Sequence, residues 1–293
     1  MLDYRMETFL KLCEIKNYTR TAELLNITQP AVSQHIKFLE EYYGKKLFIY
    51  SGKNLELTDA GMYLKSNIMT MQVNSNKLRR QLFEQSLGKK EIKFGATLSI
   101  GEYYMPEIIK NLIYNYPKYS FSMIVENTQT LLNKLERGEI EFALLEGIFN
   151  KQKYETRLIS NEKFICVSGE RIGELNHKIP MNDILNYRLI LRENGSGTRE
   201  ILEQLLIEKN ITIDDFNNKL ELGNINLIKY MVEQNMGITF LYKIAVLKEL
   251  EMQTLFEVNI QDFEPKREFN FVFLKNSIFM DEYLELYDII NRD

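Results

Sequence analysis

The run Asn194-Gly195-Ser196-Gly197-Thr198-Arg199 follows an apolar segment, Leu189-Ile190-Leu191, and opens a stretch with helical periodicity. Glycines there allow a ligand close to the backbone, Ser196 and Thr198 donate hydrogen bonds, and Arg199 offers a guanidinium fork to an oxyanion. A helix start adds unpaired N–H groups and the positive end of a dipole. Three other segments are placed in the same way, after a strand or before a helix: Gly95 to Gly101 with Thr97 and Ser99, then Glu126-Asn127-Thr128, then Gly223-Asn224-Ile225-Asn226. Thr97, Ser99, Asn127, Thr128, Ser196, Thr198, Arg199 and Asn224 form a donor set with no acid in it, which suits a small anion. Taken alone, Gly-Ser-Gly-Thr reads more economically as a turn with a capping hydroxyl.

A second group has the chemistry of nucleic-acid recognition. Val32, Ile36 and Leu39 recur at i, i+4 and i+7 and face inward, which leaves Ser33, Gln34 and Lys37 together on the opposite face. Gln pairs with adenine edges, while Ser and Lys serve phosphate or guanine, so this face suits a helix lying in the major groove. Thr28 caps the helix, Gln29 sits in its exposed first turn, and Pro30 is tolerated there because its missing N–H has no intrahelical partner. A short helix over Thr19 to Leu25, separated by Asn26 and Ile27, completes a helix-turn-helix. By themselves Ser33, Gln34 and Lys37 are no more than a solvated face.

Charge is distributed to match. The net −4 divides into +5 over residues 1–90 and −9 over residues 91–293, a basic segment fused to a larger acidic one with a different task. At roughly 150 residues per domain, 293 residues make about two domains. A composition 45% hydrophobic and 27% charged excludes wholesale disorder, and no apolar run approaches the roughly 18 residues of a membrane span. The start of the chain lacks the pattern of a secretory leader and the two cysteines cannot make a disulfide framework, so the chain reads as cytoplasmic. Cys13 follows Met6, Phe9 and Leu10 at helical spacing, and Cys166 is mid-strand; both read as core. His35 and His177, without CxxC or HExxH, imply no zinc site, no cofactor is implied, and no nucleophile, acid and base converge. The reading is therefore a regulator and not an enzyme. The alternative is a small-molecule binding protein or enzyme on the acidic part, with the N-terminal segment serving only oligomerisation.

The elements that must hold these residues follow from periodicity. From Asp59 to about Leu87, Leu64, Ile68, Met71, Ser75, Leu78 and Leu82 are spaced as an a/d seam, and a seam this narrow calls for a partner helix. Thr58 caps that helix, and Gly88, Lys89 and Lys90 end it in a hinge. Beyond residue 91, strands are predicted over Ile92 to Ala96, Phe121 to Val125, Phe142 to Leu145, Phe164 to Val167, Arg188 to Leu191, Ile238 to Leu241 and Phe269 to Leu274. Helices are predicted over Met105 to Tyr116, Leu131 to Arg137, Thr198 to Lys209, Ile225 to Gln234 and Met280 to Ile290. Such alternation predicts an α/β fold with largely parallel sheets.

Thr21-Ala22, Leu24-Leu25, Thr28-Gln29-Pro30-Ala31-Val32-Ser33, Leu39-Glu40, Gly44, Leu47-Phe48 and Leu57-Thr58-x-Ala60-Gly61 resemble, in register, the winged helix-turn-helix of LysR-type transcriptional regulators. In that likeness Leu47 to Thr58 are the wing, turning at Ser51-Gly52-Lys53-Asn54, with Lys53 a DNA contact. Tyr50 stands where the family often has Arg, which weakens the wing's grip on phosphate. The resemblance implies a DNA-binding domain over 1–58, mainly α, a dimerising linker helix over 59–87 and an effector domain over 88–293. The effector domain would be an α/β, periplasmic-binding-protein-like pair of subdomains, 88–162 with 267–293 and 163–266, around a cleft. It further implies double-stranded DNA and a small effector as partners, a homodimer pairing into a tetramer, and no membrane. The Gly-Ser-Gly-Thr-Arg motif is similar to its form in regulators of cysteine biosynthesis and carbon dioxide fixation, which points to an anionic metabolite. Leu98 replaces a hydroxyl residue often found there.

Overall fold

The computed structural model describes residues 3–85, 90–173 and 177–291. Two compact units are present. The first begins with α1 (Tyr4–Ile15), α2 (Tyr18–Leu25) and α3 (Gln29–Tyr43), followed by strands β1 (Phe48–Ser51) and β2 (Asn54–Leu57) and the long helix α4 (Asp59–Gln85). Each short helix is bounded by its own residues. Asp3, Asn17 and Thr28 accept from backbone N–H groups one turn in, and Lys16, Asn26 and Gly44 end the helices in the left-handed region. Phe9, Leu12, Cys13, Val32, Ile36 and Leu39 meet Leu47, Leu55 and Ile68 in one core. Strands β1 and β2 pair antiparallel, Phe48 opposite Leu57 and Ser51 opposite Asn54, which places the wing's turn where it was expected.

The spacing of this segment has a mechanical explanation. Glu40 accepts the Leu47 N–H at 2.9 Å and an ion pair from Lys46 at 2.6 Å, tying α3 to the wing. Thr58 caps α4 through the Gly61 N–H at 3.0 Å, and its own hydroxyl donates to the Lys46 carbonyl at 2.6 Å. Gly61 permits the close approach this needs, since a Cβ there would lie 2.2 Å from the Leu47 carbonyl oxygen.

Helix α4 departs from the expected single seam. Leu64 and Ile68 pack into the winged core, whereas Met71, Leu78 and Leu82 are 54%, 47% and 63% exposed. A different face of α4 is held by the remainder of this unit, residues 134–139 and 274–282. Thr70 donates to the Lys275 carbonyl at 3.1 Å, Ser277 to Asn74 at 3.0 Å, and Lys77 pairs with Glu282 at 3.0 Å. The expected hinge at Gly88 and Lys89 lies outside the described residues.

The second unit is α/β. Its elements, of which Lys90, residues 134–136, Leu274 and residues 280–282 fall in the first unit, are in chain order β3 (Lys90–Ala96), α5 (Met105–Asn115), β4 (Tyr119–Val125), α6 (Thr128–Glu136), β5 (Phe142–Leu145) and β6 (Tyr154–Ser168). Then follow α7 (Met181–Ile184), β7 (Arg188–Leu191), α8 (Gly197–Ile207), β8 (Asn218–Glu221), α9 (Ile225–Glu233) and β9 (Ile238–Tyr242). The chain closes with α10 (Leu247–Glu251), β10 (Phe256–Val258), β11 (Lys266–Leu274) and α11 (Met280–Ile290). Strand order is β4-β3-β5-β11-β6-β9-β7-β8, with β10 paired to the end of β6. The expected predominance of parallel pairing is corrected. Strands β3–β5, β7–β8 and β7–β9 are parallel, but β5–β11, β6–β9 and β6–β10 are antiparallel. Parallel neighbours need a crossover connection; β6 and β11 instead carry the chain between the two halves of the sheet and run against the strands they join. At that junction the Phe164 N–H donates to the Pro265 carbonyl at 3.0 Å. Among the described residues no helix is long and apolar enough to cross a membrane.

Candidate functional site

Strand ends and helix starts converge, as open α/β sheets require, on a cavity of about 230 Å³. Thr97 follows β3, Asn127 follows β4, Glu146 follows β5, and Arg192 follows β7; with Ser196 and Gly197 at the start of α8 they line it. Two helices present N-termini there. Asn127 caps α6 by accepting the Thr130 N–H at 2.8 Å, while Ser196 occupies the N-cap of α8 in extended conformation with its hydroxyl free of any capping bond. Gly197 keeps the first turn of α8 close to the opposite wall, for a Cβ there would sit 3.4 Å from Thr128 Oγ1 and 3.7 Å from Glu146 Cγ.

Of the expected donors, Thr97, Asn127 and Ser196 line the cavity. Thr97 Oγ1 is buried and has no partner among the described residues. Ser99 and Thr198 lie behind that surface, their hydroxyls 3.4 Å apart. Thr128 is spent within the fold, donating to the Glu146 carbonyl at 3.0 Å. Two expectations are corrected. Asn224 caps α9, accepting the Leu227 N–H at 2.9 Å, and is not on the cavity wall. Arg199 is no anion fork: Glu203 at 2.8 Å and Glu221 at 2.5 Å occupy it, the bonds to Glu203 first among the causes that strengthen its hold on its proton. The guanidinium at the cavity is Arg192, only 7% exposed, which clasps Glu193 through Nε and Nη2, each at 2.7 Å. Burial would raise the Glu193 pKa, but that clasp leaves it lowered.

The cavity also holds an acid, contrary to the donor-only set. Glu146 is fully buried, and desolvation pushes its pKa up to about 7 against the pull of the Ser99, Thr198 and Tyr242 hydroxyls and of Arg192. Thr198 donates to Oε1 at 3.3 Å; Oε2 and the Tyr242 hydroxyl, which faces the same carboxyl, are both buried without a close hydrogen bond among the described residues. The one signal for Glu146 in the sequence is an acid that interrupts the apolar run Phe142-Ala143-Leu144-Leu145 at a strand end.

A second bridge spans the two halves of the sheet. The helix that opens at Leu98 makes a π turn over Ile100–Tyr104 before α5, and such turns recur at functional sites. It carries Tyr103, whose hydroxyl donates to Asn226 at 2.9 Å and whose ring lies 4.8 Å from Lys229 Nζ. Burial, with Glu102 beside it, raises the Tyr103 pKa.

In the first unit Thr28, Gln29, Pro30, Gln34 and Lys37 are exposed along one side of α3, with Ser33 half-buried among them. Gln29 Nε2 donates to Ser33 Oγ at 3.0 Å, and Lys37 stands 3.6 Å from Glu41, an exposed pair that a phosphate can replace. Lys53 projects from the exposed turn of the wing. His35 faces inward, its Nδ1 2.9 Å from Thr8 Oγ1. Both cysteines are buried free thiols; burial pushes Cys13 up to about 12 and Cys166 also upward, so both stay protonated.

Comparison with known proteins follows the same division. Residues 4–62 match the family described as bacterial regulatory helix-turn-helix protein, lysR family, and residues 85–278 match the LysR substrate binding domain. The chain is 26% identical over 270 residues to the HTH-type transcriptional regulator CysL of Bacillus subtilis, covering 91% of this chain and 89% of that protein. A probable RuBisCO transcriptional regulator of Thalassiosira pseudonana is 26% identical over 88% of this chain and 86% of its own length. In fold, the chain is similar to the CcmR regulatory domain of Synechocystis PCC6803 in complex with 2-PG, with a TM-score of 0.62 at 18% identity over 70% of this chain and 99% of that one.

Proposed function

Because this chain belongs to the LysR family of DNA-binding transcriptional regulators, we propose that its response on DNA is set by a small metabolite with an anionic group, bound in the cleft between the two halves of the α/β unit. The observation that carries this reading is the convergence of the N-termini of α6 and α8 on one cavity with the buried hydroxyls of Thr97 and Ser196. The CcmR domain, solved with 2-PG, supports a small ligand in this fold. Ser196 and Thr97 are direct contacts in this reading, and Ser99, Thr198 and Thr128 hold the wall behind them. A ligand can shift the regulator only by its differential affinity for two conformations, a coupling of about 1 to 3 kcal/mol.

Residues 1–58 read the DNA through Gln34, Ser33 and Lys37, with Gln29, Pro30 and Thr28 at the helix start and Lys53 on the wing. Residues 59–87 join two copies through Met71, Leu78 and Leu82, and two such dimers pair into a tetramer. Residues 88–293 sense the ligand, and the protein works in the cytoplasm, where its DNA is.

The test is a thermal-shift and calorimetric screen of the full chain against sulfate, phosphorylated metabolites and small organic acids. A ligand that binds wild type should bind Ser196→Ala at least tenfold more weakly. Equal affinity would reduce the motif to an ordinary helix cap.

A further inference from the structure

Resting on that reading of the cleft, we infer that its ligand is a zwitterion of the size of an α-amino acid, with the carboxylate at the N-terminus of α8 and the ammonium received by Glu146. The cavity wall has two poles. At one, Ser196 and the first turn of α8 offer a hydroxyl and unpaired N–H groups, with Asn127 and Thr97 beside them. At the other, Glu146 belongs to the wall, and its Oε2 is buried without a close hydrogen bond among the described residues, with the Tyr242 hydroxyl facing the same carboxyl. A buried acceptor left in this state is destabilising, and a ligand that brings a donor removes the penalty.

The charge around Glu146 identifies the donor. Arg192, the guanidinium at the cavity, already gives Nε and Nη2 to Glu193. The wall therefore carries Glu126, Glu146 and Glu193 against one arginine. A bare oxyanion would meet this acidic excess at close quarters, whereas an ammonium neutralises Glu146 while its own carboxylate uses the dipole of α8. The poles are close enough for one small molecule, because the position a Cβ would take on Gly197 is 3.7 Å from Glu146 Cγ. A volume of about 230 Å³, below the roughly 300 to 1,000 Å³ of sites for drug-sized ligands, suits a molecule of amino-acid size.

The sign of the pH dependence separates the alternatives in the wild-type protein. Glu146, facing Arg192 on the β7 side, Tyr242 on β9 and the hydroxyls of Ser99 and Thr198, titrates near 7. An ammonium partner lowers that pKa, so zwitterion affinity should rise from pH 6 to pH 8; an oxyanion raises it, so affinity should fall over the same range. Calorimetry on the full chain would use the twenty proteinogenic L-amino acids, the desamino acid of each binder, and sodium sulfate. We expect at least one amino acid to bind, its desamino analogue to bind at least tenfold more weakly, and Glu146→Gln to lose at least tenfold in amino-acid affinity without weakening sulfate. Sulfate binding tighter than every amino acid, weakened by Ser196→Ala and not by Glu146→Gln, would overturn the zwitterion and leave the anion cleft standing. Failure of every amino acid to bind would overturn the zwitterion, while the anion cleft falls only if the phosphorylated metabolites and small organic acids of the wider screen also fail to bind.

Discussion

Thr198 Oγ1 donates to Glu146 Oε1 at 3.3 Å, which ties the first turn of α8 to the residue that follows β5 across the cleft. A hydroxyl counted as a ligand donor thus holds a buried acid in place. Thr198→Ala would remove one of the hydroxyls that favour the charged carboxylate and leave a second oxygen of Glu146 unsatisfied. The expected cost is about 1 to 3 kcal/mol of stability at pH 8, measured by denaturant unfolding and smaller at pH 5, where the acid is neutral.

Glu146 itself should make the unliganded protein less stable in mild alkali. Its folded pKa near 7 lies above the ordinary 4.5, so the folded state binds the proton more tightly than the unfolded chain. The stability this provides is complete below about pH 4.5 and is lost as pH rises through 7, amounting to about 3 kcal/mol. Glu146→Gln should abolish that slope and be the more stable protein at pH 8. An unchanged slope in the variant would place the titration elsewhere.

Assembly should depend on only part of the apolar spacing in α4. Met71, Leu78 and Leu82 are exposed, whereas Leu64 packs into the winged core. Changing the first three together to Asp should dissociate dimers in sedimentation while helical content is kept, since each charge would be buried unpaired between helices. Leu64→Asp should instead unfold the winged domain. A triple variant of unchanged mass would place the dimer contact on another surface.

The winged domain should be sensitive at two positions that hold α3, the wing and α4 together. Gly61→Ala would set a methyl against the Leu47 carbonyl, and Glu40→Ala would strip the Leu47 N–H of its acceptor. Each should cost about 1 to 3 kcal/mol in thermal unfolding.

The helix-turn-helix was legible because its determinants are local: Thr28 caps one turn ahead, Asn26 stops α2, and Val32, Ile36 and Leu39 repeat at helical spacing. The cleft was legible as a place, since strand ends and helix starts announce themselves at Thr97, Asn127 and Ser196. Which side chains enter it was not. Arg199 follows Thr198 by one residue yet turns to Glu203 and Glu221, acids brought up by α8 and β8. Strand β8 carries exposed Asn218 and Lys219, which give no apolar signal. Strand direction at β6 and β11 is set by the return of the chain across the sheet, a long-range property that an apolar run does not encode.

Helix α3 is the element on which DNA reading depends most directly. A mobility-shift titration of the full chain against the fragment upstream of its own gene, beside an unrelated fragment of equal length, measures this. Gln34→Ala should lose about 1 to 3 kcal/mol on the preferred fragment and little on the other, while Lys37→Ala should weaken both alike. Binding to both fragments unchanged in the double variant Gln34→Ala, Lys37→Ala would contradict the assignment of this helix.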